Sequence, residues 1–316
     1  MTNTKNSLKG VLILLITAII WGSSFIAQEV GGGIGAFTFM GSRSFVGAVT
    51  LLPVILVCDF VKKKRGGAAS SDSNGKGSRG ALILGGTLCG IMMFVATNLQ
   101  QFGMNLGTNS GKAGFITALY ILIVPIIGLF VGRRASRIIW ACAAVSVVGL
   151  FLLCGLDDMA SFCAGDALVF LCAIAFAGHI MIVDRFAPRV DCLKMSCIQL
   201  LVCSVLSMAA AFIFESPDIS EILDNFFPIF YSGFMSSGIA YTLQMVGQRY
   251  TRPTLASMIM SLESVFAMIS NIVFPLISTS MAPYFPSARE VVGCVLIFAA
   301  IIVAQLKDTG SAEQNA

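Results

Sequence analysis

Apolar runs of about 20 residues, parted by short polar connections, recur ten times along the chain: 10–28, 35–58, 81–105, 112–131, 138–156, 166–183, 195–214, 226–248, 253–278 and 288–306. A helix needs ~20 mostly apolar residues to cross the hydrocarbon layer, whereas barrel strands are about half as long and alternate in polarity. The pattern therefore predicts an all-α polytopic membrane protein of ten transmembrane helices, embedded in a lipid bilayer and without a large soluble domain. Composition agrees. The chain is 57% hydrophobic and only 11% charged, against roughly 25% charged in an ordinary soluble domain.

Charge adds orientation. With ten spans and an internal N-terminus, 17 of the 20 Lys and Arg residues fall in the inner segments, the exceptions being Arg43, Lys112 and Arg289. The outer segments carry Asp157, Asp158, Glu215, Asp218, Glu221 and Asp224 instead. This positive-inside asymmetry predicts a multi-pass protein of the cytoplasmic membrane, most simply a bacterial one, with both termini in the cytoplasm. The segment 62–80, KKKRGGAASSDSNGKGSRG, reads as a flexible cytoplasmic linker whose basic cluster anchors the second helix to anionic lipid.

A shift of 143 residues places Asn98 on Tyr241, Gln101 on Gln244, Asn105 on Gln248, Thr108 on Thr251, Ala113 on Ala256 and Leu119 on Leu262. The third and fourth spans thus overlay the eighth and ninth. Five spans per half is an odd number, so the halves enter the membrane in opposite senses, as two inverted five-helix repeats. The expected division is 1–157 and 158–307, followed by a tail, 308–316.

Few polar side chains interrupt the spans. Asn98, Gln101 and Asn105 share one helix face, as do Tyr241, Gln244 and Gln248 on the matching helix, which suggests a hydrated pathway or interhelical hydrogen bonding. Glu263 is the one charge between Pro253 and Ser287. A carboxylate at that depth costs on the order of 2–4 kcal/mol or more. It could carry a proton, bind a substrate ammonium or cap a broken helix, and the shift sets it opposite Tyr120. Arg43, inside the second span, reads as a structural polar residue, and His179, the single histidine, as a packed one with a proton-relay role as the alternative. Pro125 is expected to kink the fourth span. Gly86-xxx-Gly90, Gly107-xxx-Gly111 and Gly128-xxx-Gly132 have the spacing that brings helices close.

Several classes are absent. There is no GxxxxGK[ST] loop, no HExxH and no nucleophile with a base, so neither an ATPase nor covalent catalysis is expected. The ten cysteines form no CxxC pair and read as packing residues. No cofactor, metal or nucleic-acid partner is expected.

The stretches Trp21-Gly22-Ser23-Ser24-Phe25, Phe37 to Arg43, Thr108 to Pro125 and Leu262-Glu263-Ser264-Val265-Phe266-Ala267 resemble EamA-type members of the drug/metabolite transporter superfamily. The resemblance covers essentially the whole chain. It implies ten helices in two inverted repeats and a central cavity, whose substrate-binding candidates here are Trp21, Asn98, Gln101, Tyr120, His179, Tyr241, Gln244 and Glu263, with Arg43 as a framework position. Ser264 replaces the family's proline, and Gly132-Arg133-Arg134 departs from its Gly-Glu-Arg pattern. The expected function is secondary-active efflux of a small metabolite, amino acid or drug-like compound, with proton coupling and a homodimer left open. The competing expectation is a non-transporting membrane scaffold or accessory subunit.

Overall fold

The computed structural model describes residues 2–30, 33–64, 75–133, 135–154, 163–277 and 285–313. Arg65, Arg134, Asp157, Asp158, the middle of the 62–80 linker and the last three residues of the 308–316 tail lie outside them. The helices are α1 (Thr2–Val30), α2 (Ala36–Lys64), α3 (Gly75–Asn105), α4 (Ser110–Ala118), α5 (Tyr120–Phe130), α6 (Arg137–Cys154), α7 (Ala164–Phe186), α8 (Cys192–Phe214), α9 (Ile219–Asp224), α10 (Phe226–Tyr231), α11 (Tyr241–Gln248), α12 (Pro253–Met260), α13 (Glu263–Ile277) and α14 (Ala288–Glu313). No strand occurs among the described residues.

Nine helical stretches among these residues are long and apolar enough to cross a membrane, α4 with α5 and α12 with α13 each counting as one. The remaining expected span, 226–248, is a helical path of changing pitch. It runs from α10 through a π segment, Ser232–Ala240, into α11, with right-handed helical backbone at both junctions. A π turn widens the helix and is tolerated over one or two turns where packing or function requires it. Here the segment is rich in small residues, with Gly233 lying so close to Arg43 O of α2 that a Cβ would sit 2.8 Å from it.

The helices connect two ends of a bundle. At one, the basic end, Lys62 reaches Asp191 (3.1 Å), Lys194 reaches Asp59 (2.9 Å), Arg133 reaches Asp184 (2.5 Å), and Lys9 lies 5.2 Å from the Tyr250 ring centroid. Asp191 also caps α8 by accepting from Leu193 N and Lys194 N. Burial pushes its carboxyl upward, but the Lys62 bond and these backbone donors outweigh that and hold it below the usual range.

At the opposite end Glu215, just past α8, accepts from Phe37 N (2.9 Å), Thr38 N (2.8 Å) and Thr38 Oγ1 (2.7 Å). The start of α2 is thus capped by a side chain from a distant helix, satisfying donors that have no intrahelical acceptor. Glu215→Ala is expected to lower stability by about 1–2 kcal/mol, read as a lower melting temperature of the purified protein, while Glu215→Gln recovers part of the loss.

Also at this end, Lys112 Nζ lies 2.6 Å from Asp166 Oδ2, with the two side chains only 7% and 3% exposed. Thr108 Oγ1 and Cys163 N donate to the same carboxylate at 2.9 Å. The pair ties α4 to α7. Of the three glycine spacings, Gly86 and Gly90 press against Ile198 and Val202 of α8. Gly107 and Gly132 instead take positive φ (102° and 80°) in turns, a conformation that glycine adopts without steric cost.

Candidate functional site

Two membrane-crossing helices are broken at matching places. Between α4 and α5, Leu119 N donates to Ile116 O (3.2 Å) and Leu122 N to Leu119 O (3.0 Å). Between α12 and α13, Leu262 N donates to Ile259 O (3.2 Å) and Ser264 N to Ser261 O (3.3 Å). These are i to i+3 bonds, a single tightened turn in each helix. The 143-residue shift carries Leu119 onto Leu262, so the two breaks occupy equivalent positions. Pro125 lies inside α5, past the break rather than at it. Ser264 does not straighten its helix either, because the turn at Ser261–Leu262 forms without a proline.

The residue after each break faces its counterpart. Tyr120 Oη donates to Glu263 Oε1 at 3.1 Å, with both residues buried. Both open a half-helix, and the N-terminal end of a helix favours negative charge, which suits Glu263 in the first turn of α13. Leu119 and Leu262 pack into the same apolar core on either side.

Around this pair lies a cavity walled by α1, α2, α3, α4, α5, α7, the π segment, α11, α12 and α13. Trp21 and Tyr241 meet edge to face, 4.9 Å between centroids, and Phe176 adds a third aromatic wall. Arg43 donates to Ser237 Oγ (3.2 Å) and Ser236 Oγ (3.0 Å), and no carboxylate among the described residues pairs with it. The wide π segment thus supplies hydroxyls to a buried guanidinium. Trp21 Nε1 donates to Ser236 O of the same segment (3.4 Å). Gln244 Oε1 is buried without a hydrogen-bond partner. Among the described residues the lining therefore holds one carboxyl, one guanidinium, one unpaired amide oxygen and an aromatic wall. The cavity is small, about 40 Å³, room for about three waters. A metabolite would need the walls to part.

Of the candidate residues, Trp21, Arg43, Tyr120, Tyr241, Gln244 and Glu263 line the cavity. Asn98, Gln101 and His179 are buried outside the lining. Asn98 Nδ2 donates to Ser207 Oγ (3.0 Å), Gln101 Nε2 to Asn105 Oδ1 (3.1 Å), and His179 Nε2 pairs with Gln199 Oε1 (2.9 Å). From α3 the cavity instead receives Thr97 and Gln100, the latter donating to Thr117 Oγ1 at 2.9 Å. Each sits one residue before an expected one, a rotation of about 100° around the helix. Gln100 and Gln101 are adjacent amides, and no sequence signal chooses between them. Ser236, in an apolar run, carried no signal either.

A family model described as "EamA-like transporter family" matches residues 8–155 and again 164–305. An "Uncharacterized transporter" of Archaeoglobus fulgidus is 25% identical over 301 residues, spanning 93% of this chain and 85% of its own length. A solved structure titled "Crystal structure of protein" superposes with a TM-score of 0.69 at 19% identity, over 94% of this chain and 96% of the other. That last likeness concerns the fold.

Proposed function

Because the chain belongs to the EamA-like transporter family, we propose that it is a secondary-active exporter of a small metabolite, amino acid or drug-like compound, working by alternating access through the central cavity. The observation that carries this is the meeting of two equivalently broken helices at Tyr120 and Glu263. Discontinuous helices that meet near the midplane between inverted repeats are how secondary transporters expose backbone and polar groups to cargo. Trp21, Phe176 and Tyr241 would hold an apolar or aromatic portion of the substrate. Gln244 and Arg43 would meet its polar part, and Glu263 would exchange a proton as its bond to Tyr120 breaks and reforms. Asn98, Gln101 and His179 would hold the lining in place from behind. In this scheme 1–157 and 158–307 are the two parts that move against each other. The basic residues at one end favour cytoplasmic termini in a bacterial inner membrane.

Cysteine scanning separates this from a scaffold role. In a background without native cysteines, Gln244→Cys is expected to react with a small water-soluble thiol reagent and to be protected by substrate. Gln101→Cys, outside the lining, is expected to react at least about tenfold more slowly. Complete protection of Gln244→Cys under all conditions would favour the scaffold.

A further inference from the structure

Arg43 and Gln244 are polar groups of the central cavity that its own walls leave incompletely matched. Arg43 is only 3% exposed, and its described partners are the hydroxyls of Ser236 and Ser237, which bear no charge. Glu263, the carboxyl of the same described lining, is engaged by Tyr120, and no ion pair joins it to Arg43. A guanidinium held this way keeps much of its desolvation cost, which a bound carboxylate would offset. Five N–H donors fan out from a guanidinium. Ser237 takes the Nε donor and Ser236 takes one donor of Nη2, so Nη1 and the second donor of Nη2 remain side by side. Such a pair matches both oxygens of a carboxylate. Close packing fixes the fork in place, since a Cβ on Gly47 of α2 would lie 2.8 Å from Ser237 Cβ.

Gln244 is unmatched as well. It is 2% exposed, its side-chain amide makes no hydrogen bond among the described residues, and its Oε1 is shut off from water. An amide both donates and accepts, so a buried one without partners favours a ligand group that does the same. A hydroxyl is such a group. An ammonium has donors only and would bring a second charge out of water. The guanidinium and the amide belong to one continuous wall. Ser236, whose hydroxyl binds Arg43, accepts from Trp21 Nε1 through its backbone oxygen (3.4 Å), and Trp21 meets Tyr241 at 4.9 Å. Gln244 follows Tyr241 by about one turn of α11, on the same face. The rings of Trp21 and Tyr241 therefore link the charge to the amide.

We infer that the cargo of the central cavity is a small hydroxycarboxylate with an apolar or aromatic body. Its carboxylate lies on the open fork of Arg43, its hydroxyl on the amide of Gln244, and its body against Trp21 and Tyr241. The inference rests on the transporter reading of this cavity and narrows it to one chemical class.

The test follows Trp21 fluorescence in the purified full-length protein, with Trp140→Phe removing the other of the chain's two tryptophans. Four probes share one phenyl body: 3-phenyllactate, its neutral amide, 3-phenylpropionate and phenylalanine, each titrated against chloride at matched ionic strength. Phenyllactate is expected to bind tightest. Its amide should bind at least about tenfold more weakly for want of charge-assisted bonds, and phenylpropionate about tenfold more weakly for want of the hydroxyl. Gln244→Met keeps the length of the side chain and removes a buried amide that has no partner, so it is expected to fold. It should bring phenyllactate down to the level of phenylpropionate. If the amide or phenylalanine binds as tightly as phenyllactate, the hydroxycarboxylate is overturned while the cavity remains a binding site. A Gln244→Met protein that still prefers phenyllactate to phenylpropionate has the same consequence. Silence of Trp21 toward every probe overturns the inference and, together with complete protection of Gln244→Cys, the transporter reading beneath it.

Discussion

Glu263→Gln is expected to remove the dependence of flux on a pH gradient in proteoliposomes, lowering gradient-driven accumulation at least about tenfold while leaving the fold intact. The glutamine carbonyl oxygen can still accept from Tyr120 Oη, so the 3.1 Å link between the half-helices is kept. Size and packing against the α4–α5 break barely change. What disappears is the titratable proton, and Glu263 is the one carboxyl in the described lining of the cavity. A retained, substrate-dependent counterflow in the absence of a gradient would show that the cavity still loads. Unchanged gradient-driven flux would instead remove the proton role and leave Glu263 as a cap for α13. Tyr120→Phe is the companion. It strips the carboxyl of its hydrogen-bond donor without removing charge, and is expected to alter both flux and its pH profile.

The largest stability effect is expected from the Lys112–Asp166 pair. Lys112→Ala leaves a carboxylate that is 3% exposed with neutral donors alone, Thr108 Oγ1 and Cys163 N among them. Breaking one side of a buried ion pair costs about 3–5 kcal/mol, because the remaining charge stays desolvated. The melting temperature should fall steeply. Replacing both partners by apolar residues of similar size, Lys112→Met with Asp166→Leu, should recover most of the loss, since paired removal strands no charge. Equal losses in the single and double variants would mean that the charges themselves, rather than their burial, hold α4 against α7. The pair spans the two halves at one end only. The shift that relates the halves puts Leu255 where Lys112 stands, so the basic end has no such fastening at that position.

How much of this was legible follows from what each residue has to satisfy. Apolar runs of about 20 residues have one low-energy solution in lipid, a helix that bonds its own backbone, so the spans and the all-α class could be read directly. The expected span 226–248 was placed correctly as a helical path, but its π segment was not foreseen. A local change of pitch follows from packing against α2, to which no residue in SGFMSSGIA testifies alone. The 143-residue shift set Tyr120 and Glu263 at equivalent positions, but that their side chains meet is a finding of the structure, since internal symmetry relates positions without saying which of them touch. The helix breaks beside them were expected at Pro125 and doubted at Ser264, and the structure puts both at the leucines before.

The sequence by itself therefore determined the membrane class, the repeating halves, the uneven charge of the two ends and the isolation of Glu263. Each of these is a property of spacing along one chain. Only the tertiary structure decided which amide of α3 faces the cavity, that Arg43 rests on hydroxyls of the π segment, and that Lys112 finds Asp166. A polar side chain in a membrane helix must find a partner somewhere, yet its own position says nothing of the direction. Rotation about the helix axis is set by packing against neighbours far away in sequence. For that reason Gln100 faces the cavity while Gln101 bonds Asn105, though the two stand side by side in the chain.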